Sequence, residues 1–209
     1  LDSFCRYYGT DGEALSYERL ALVRLRAVAG DGALGSRVER LRDEFVYESR
    51  LISLPELYEL RHRQFQVKAS GEGYNAKFSP GALVDLEYCV QMLQVLHGAQ
   101  HPSVLTPRIH EALEALGDAG VIAPEEGRRL IKAYYFLRGL INGLRMLRGN
   151  ALDLFLPDPE DLEFRPLARR MGYHRRHELD SGQQLFVEFE TETAVVRNFI
   201  ERHFGRDYL

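Results

Sequence analysis

An apolar period of three and four residues runs through almost the whole chain and is interrupted only at short stretches rich in glycine and proline, which commits the chain to helices. The period predicts helices over about 3–8, 17–29, 34–47, 54–67, 82–97, 106–119, 124–147, 159–171 and 181–204. The breaks are chemically consistent with that reading. Gly30-Asp31-Gly32, residues 70–79, 98–102, 120–123 and 149–159 hold much of the glycine and proline, and Pro124 stands at a first-turn position ahead of Glu125 and Glu126. The expected fold is all-α, a helical bundle of about eight or nine helices with no substantial sheet. The most loop-like stretch, 69–79, is expected to separate N-terminal helices (1–68) from a bundle proper (80–209).

Composition narrows the function classes. With 209 residues and 45% hydrophobic content the chain can bury a substantial core. A net charge of −4 argues against nucleic acid as the main partner. Two cysteines, Cys5 and Cys89, supply no disulfide framework, and with no apolar run near the membrane-spanning length of about 18 residues the expectation is a soluble, cytoplasmic protein with no membrane partner. Neither cysteine has a His or second Cys at metal-ligand spacing, so both read as buried, inert thiols.

Residues 75–91, NAKFSPGALVDLEYCVQ, hold the densest chemistry. Pro80 fixes φ and Gly81 carries no Cβ, so the pair makes a tight turn that a helix can leave directly, with Ser79 as the expected N-cap. Leu83, Leu86, Val90, Leu93 and His97 then mark one buried face, and Asp85 and Glu87 fall on other faces within the first turns. Acids near a helix N-terminus are stabilised by the macrodipole, which is the plainer reading; the sharper one is a polar contact site facing another domain.

This pattern resembles a family. Lys77, Pro80, Gly81, Ala82, Asp85, Glu87, Gln91, Leu96 and His97 are similar to a Lys-x-x-Pro-Gly-Gly-hydrophobic-x-Asp-hydrophobic-Glu signature of the helical domain that follows the nucleotidyltransferase core in glutamine synthetase adenylyltransferases and their uridylyltransferase relatives. Ala82 replaces a second Gly of that pattern, and Val84 stands where a basic residue is common. Residues 17–31, YERLALVRLRAVAGD, resemble the stretch written W-E-R-Q-A-L-x-R-x-R-x-V-x-G-D, with Tyr17 for Trp and Leu20 for Gln. Segments 111–116, 120–126, 134–147 and 167–173 follow in the family order.

The resemblance implies a parent enzyme, a nucleotidyltransferase that moves AMP from ATP to a tyrosine of glutamine synthetase, using Mg²⁺, with glutamine synthetase and a PII-type regulator as partners; whether the unit adds AMP or removes it stays open. The chemistry needs a Gly-Ser turn and a D-x-D strand that hold two metal ions, and this chain has no such strand. Gly35-Ser36 with Asp43-Glu44 is a decoy, because adjacent acids on a strand point to opposite faces and the surrounding period is helical. The chain, opening at Leu1 within a helical pattern, is therefore expected to be a non-catalytic piece with the nucleotidyltransferase domain in cis, binding neither ATP nor Mg²⁺ itself; the alternative is a stand-alone helical interaction module. Candidates for interdomain or partner contact are Arg24, Arg26, Lys77, Asp85, Glu87 and Gln91.

Two basic clusters and one histidine pair complete the reading. Arg128, Arg129, Lys132, Arg138, Arg145 and Arg148 lie along one long helix; they are a solvated face or a phosphate or partner site. A second cluster, Arg165, Arg169, Arg170, Arg175 and Arg176 with His174 and His177, lacks the aromatic interleaving that stacks bases. His97 and His101 have metal-like i, i+4 spacing but are bracketed by Gly98 and Pro102 at a helix end, which disfavours a site.

Overall fold

The computed structural model describes residues 1–48, 52–174 and 180–205, and among them the chain is helical with no strand. The α-helices are α1 (Asp2–Tyr8), α2 (Ser16–Ala21), α3 (Gly32–Asp43), α4 (Leu54–Lys68), α5 (Leu83–His97), α6 (Ile109–Asp118), α7 (Pro124–Arg148), α8 (Phe164–Arg170) and α9 (Ser181–Phe204). One isolated antiparallel bridge joins Asn75 to Phe155. The helices fall into two compact units, residues 1–61 with 87–128 and residues 62–86 with 129–209, so each unit gathers separate stretches of chain and the cuts fall inside α4, α5 and α7 rather than in the loop 69–79.

In the first unit the N-terminal loop is built around Arg19. Its guanidinium is buried and donates to the carbonyl oxygens of Tyr8 (3.2 Å), Gly9 (3.1 Å), Gly12 (3.2 Å) and Ala14. Arginine suits this task because its planar fork carries five N–H donors and cannot lose its charge. Glu18 beside it accepts from the Leu15 amide at 2.9 Å and from the Tyr7 hydroxyl at 2.8 Å, which closes the start of α2.

The helix expected over 17–29 ends early. α2 tightens into a 3-10 turn, Leu22–Arg24, and Leu25 is extended. The cause is tertiary: Arg42 on α3 donates to the Leu25 carbonyl at 2.6 Å, and Glu39 on α3 accepts from the Ala27 amide at 2.8 Å. Those are the groups that a continuing helix would have used for itself. Asp31 then caps α3 through the Leu34 amide at 2.7 Å. Past Asp43 the chain widens into a π turn, Glu44–Glu48, in which the consecutive Phe45, Val46 and Tyr47 are all buried. A regular α-helix turns about 100° per residue, so three neighbours would sweep too wide an arc to share one apolar face.

Other starts shift for the same kind of reason. α6 begins at Ile109 rather than Thr106, because the Thr106 hydroxyl donates to Glu111 at 2.5 Å and its backbone carbonyl accepts from Gln94 Nε2 at 2.8 Å. In the second unit α8 begins at Phe164 rather than near Pro159: Asp158 accepts from the Glu160 amide (2.9 Å) and Asp161 from the Asp158 amide (3.2 Å), side-chain turns that compete with helix. α9 matches its expected span, since Asp180 and Gln183 form a reciprocal capping box and Gly205, at φ 85°, closes the far end.

The second unit packs α8 against α7 and α9 through two glycines. A Cβ on Gly143 would lie 2.8 Å from Leu167 Cδ1, and one on Gly182 3.2 Å from the Phe164 ring. Leu167, Phe164, Leu137, Leu140, Leu144, Leu185, Phe189 and Phe199 are buried around these approaches. Lys132 on α7 holds α9 electrostatically, its ammonium 2.6 Å from both Glu188 and Glu192. Hydrogen bonds that the ammonium donates to Glu188 and then to Glu192 push Lys132 above its ordinary value. Burial pushes the Glu192 carboxyl up, more than Lys132 pulls it down.

Two outcomes follow from these contacts. Arg19→Met, and equally Arg19→Lys with its fewer donors, should lower unfolding free energy by about 2 to 3 kcal/mol in urea titrations, because buried carbonyls lose their donors. Because the Glu192 pKa is raised on folding, its ionisation costs stability as pH rises through that value. Lys132→Met removes the counter-charge, so its loss of about 1 to 2 kcal/mol, discounted for the exposed ammonium, should be larger at pH 8 than at pH 5, because lowering the pH moves Glu192 towards its protonated form. Urea midpoints measured at both pH values check this, and a pH-independent loss contradicts it.

Candidate functional site

The stretch 75–91 folds around a side chain that the sequence pattern did not single out. Asn75 is buried, and its Oδ1 accepts from the amides of Lys77 (3.0 Å) and Phe78 (3.1 Å) while its Nδ2 donates to the Lys68 carbonyl at 3.2 Å. Its backbone amide donates to Ser79 Oγ at 2.8 Å, so the Ser79 hydroxyl closes this turn and is not the N-cap of α5. Tyr74 spans the turn, its hydroxyl donating to the Pro80 carbonyl at 2.8 Å and its ring standing edge-on to Phe189 of α9 at 4.7 Å. A polar residue ahead of a Ser-Pro-Gly turn was the available signal.

Gly81 and Asp85 form the hinge of that turn. Gly81 has φ +78°, and a Cβ there would sit 2.7 Å from Arg197 Cγ and 2.8 Å from the Thr193 carbonyl oxygen on α9. Both facts demand glycine. The close backbone approach is at Gly81, while Ala82, where the resemblance has a second Gly, fits fully buried. The Asp85 carboxylate is 1% exposed and accepts from the Gly81 amide at 2.7 Å. It ties the first turn of α5 to the turn that precedes it, and α5 is enclosed on this side as well as along Leu83, Leu86, Val90 and Leu93.

The other candidates lie in different settings. Lys77 is half-buried, with its ammonium 4.9 Å over the Phe78 ring. Arg24 approaches Glu87 at 3.9 Å, with their side chains 53% and 14% exposed. Arg26 is exposed in the extended stretch after the 3-10 turn, with no carboxylate in ion-pair range among the described residues, so the two arginines do not share a helix. Gln91 is buried with its Nε2 lacking a partner among the described residues. One turn further along, Gln94 Nε2 donates to the carbonyls of Val104 (2.6 Å) and Thr106 (2.8 Å), a link that an amide on an otherwise apolar helix was the only hint of.

The basic clusters divide similarly. Arg128 pairs with Glu125 at 2.5 Å, and Arg148 reaches Asp153 at 2.8 Å, Glu163 at 3.3 Å and the Phe155 carbonyl at 2.8 Å, which closes the loop after α7. Arg165 pairs with Asp180 at 3.3 Å, while Arg175, Arg176 and His177 lie outside the described residues. Among the described residues no group of three or more His, Cys, Asp or Glu comes together in a way that would hold a metal, and His97 joins His101 through a backbone hydrogen bond of 2.9 Å. Neither Cys5 nor Cys89 is in a disulfide; Cys89 is fully buried as expected, but Cys5 is only half-buried. No helix among the described residues is long and apolar enough to cross a membrane.

Comparison with known proteins converges on one family. A family model described as GlnD PII-uridylyltransferase matches residues 54–204, well over half of the chain. A bifunctional glutamine synthetase adenylyltransferase/adenylyl-removing enzyme of Streptomyces coelicolor is 32% identical over 194 residues, covering 90% of this chain and 19% of that protein. Proteins of the same name from Stenotrophomonas maltophilia (34%, covering 80% of the chain and 18% of the relative) and Mycobacterium tuberculosis (36%, covering 78% and 16%) are similar. The chain thus spans less than a fifth of the length of these curated relatives. Its helical order, the 75–91 turn within the matched region and these likenesses together establish that the chain belongs to the glutamine synthetase adenylyltransferase and PII-uridylyltransferase family.

Proposed function

We propose that the chain is the non-catalytic helical companion of a nucleotidyltransferase that transfers AMP from ATP to a tyrosine of glutamine synthetase and also removes it. The observation that carries this reading is the likeness over 90% of the chain to an enzyme so named, in a chain whose described residues form helices alone. The adenylyl branch is favoured over the uridylyl one because the Tyr17–Asp31 match and the names of the similar proteins agree. Two-metal nucleotidyl transfer needs carboxylates that converge on a divalent pair, and the described residues do not offer them. In this reading Mg²⁺ and ATP belong to a nucleotidyltransferase domain beyond this chain, and glutamine synthetase and a PII-type regulator are the partners of the parent enzyme.

Within that role the six candidates separate by setting. Asp85 is occupied in its own turn, Gln91 is buried, and Lys77 and Glu87 are half-buried. Arg24 and Arg26 present the open cationic surface, beside the exposed Val28 and Leu34, and are the residues proposed to meet the catalytic domain.

Isothermal titration of the 209-residue chain with Mg-ATP should show no binding tighter than about 1 mM, roughly 4 kcal/mol. Micromolar affinity would place nucleotide chemistry inside this chain and refute the companion role. Asp85→Ala should lower the unfolding free energy by about 1 to 3 kcal/mol, since the Gly81 amide loses its buried acceptor. Arg24→Ala with Arg26→Ala should change it by less than about 0.5 kcal/mol. Equal losses from the two variants, read from urea midpoints, would contradict this division of roles.

A further inference from the structure

α7 and α8 leave between them a groove whose chemistry the companion role does not use. On α7, Tyr135, Gly139, Asn142 and Met146 follow one another at four, three and four residues and so lie along one helical stripe. That stripe faces outward: Tyr135 is 54% exposed and Met146 66%. Arg170, Met171 and Tyr173, at and just beyond the C-terminal end of α8, form the opposite wall, and the groove encloses about 390 Å³. The approach of Leu167 to Gly143 brings the two helices together beneath it. Burial pushes the Tyr173 hydroxyl up to about 12, so it stays a neutral donor at the groove's edge.

The charge around the groove runs against that of the chain. The chain as a whole carries a net charge of −4. From Lys132 onward, however, α7 has four cations and no acid, and α8 has three cations and no acid. Lys132, Arg148 and Arg165 are already paired with carboxylates. Arg170 on the groove wall is not, among the described residues, and neither are Arg138 and Arg145, each one position before a groove residue on α7 and so about 100° around the helix from it. Arg138 instead donates to the Tyr134 hydroxyl at 3.0 Å and stacks near that ring.

An exposed aromatic and a methionine over a glycine floor, with Arg170 on the wall and the exposed Arg138 and Arg145 on the flank of α7, none with a carboxylate partner among the described residues, match what a helix-binding groove needs: adaptable apolar contact in the middle and charge at the border. The stripe from Tyr135 to Met146 rises about 16 Å, room for about three turns of a partner helix. We infer that this groove docks an amphipathic helical segment of another protein, with an apolar face seated over Gly139 and acidic side chains meeting Arg138, Arg145 and Arg170. The inference does not depend on the companion role and stands or falls separately from it.

The test is a phage-displayed library of random 16-residue peptides selected on the immobilised full chain, followed by fluorescence anisotropy with the enriched peptides. The expected peptides are net acidic with apolar residues at helical spacing. Their Kd should rise at least tenfold for Arg138→Glu with Arg170→Glu, and likewise for Tyr135→Ala with Met146→Ala, all exposed positions whose variants keep the circular dichroism of the parent. Binding should weaken as salt is raised. Enrichment of neutral or basic peptides, equal affinity for the variants, or no enrichment overturns the inference. Displacement of bound peptide by millimolar inorganic phosphate or ATP at constant ionic strength would assign the arginines to a small anion instead and overturn it too. Self-association of the free chain that the same variants abolish, seen by sedimentation, would make the occupant a second copy and equally overturn it.

Discussion

Wherever a helix stops, its last carbonyls and first amides lose their partners, and in this chain buried side chains from elsewhere in the same unit collect many of them. Arg19 gathers the last carbonyl of α1 and three of the loop after it, Gln94 takes two at the entry to α6, Arg42 takes that of Leu25, and Asn75 and Asp85 accept the amides of the turn before α5. An all-helical protein with many breaks needs such collectors, because each unsatisfied buried group costs on the order of 1 to 3 kcal/mol. They also fix where each helix begins and ends, and thereby which residues reach the surface.

That constraint reshapes the meaning of the family-like motifs. In YERLALVRLRAVAGD, Glu18 and Arg19 build a loop, while Arg24 and Arg26 are exposed to solvent. In the 75–91 stretch, Gly81 lets its turn come close to α9, and Asp85 holds the Gly81 amide. A motif shared with a large enzyme thus consists here mainly of the residues that make a helical unit hold its shape, with the charged surface placed around them. The proposed companion role fits such a division, since a scaffold must be stiff where it is buried and specific where it is exposed.

Much of this was legible in advance. The 3.6-residue period gave the all-α class and the span of α9, and the start of α7 at Pro124 followed from a first-turn proline. The segments that were misread share a cause. The helix over 17–29 ended at Arg24, α6 and α8 began late, and Ser79 turned from cap to turn-closer, each time because a side chain distant in sequence or a local Asx or Thr turn offered the backbone a better partner.

The sequence by itself determined which residues are apolar at helical spacing, and hence the class of fold, the principal helices and the family. Only the tertiary structure decided that Asp85 looks inward to Gly81, that the α-helix ends before Arg24 and Arg26, and that Arg170 lines a groove without a carboxylate partner among the described residues. Periodicity reports which face of a helix avoids water, a property of neighbours along the chain. Which polar group finds which partner depends on elements brought together by packing, and no local pattern encodes that.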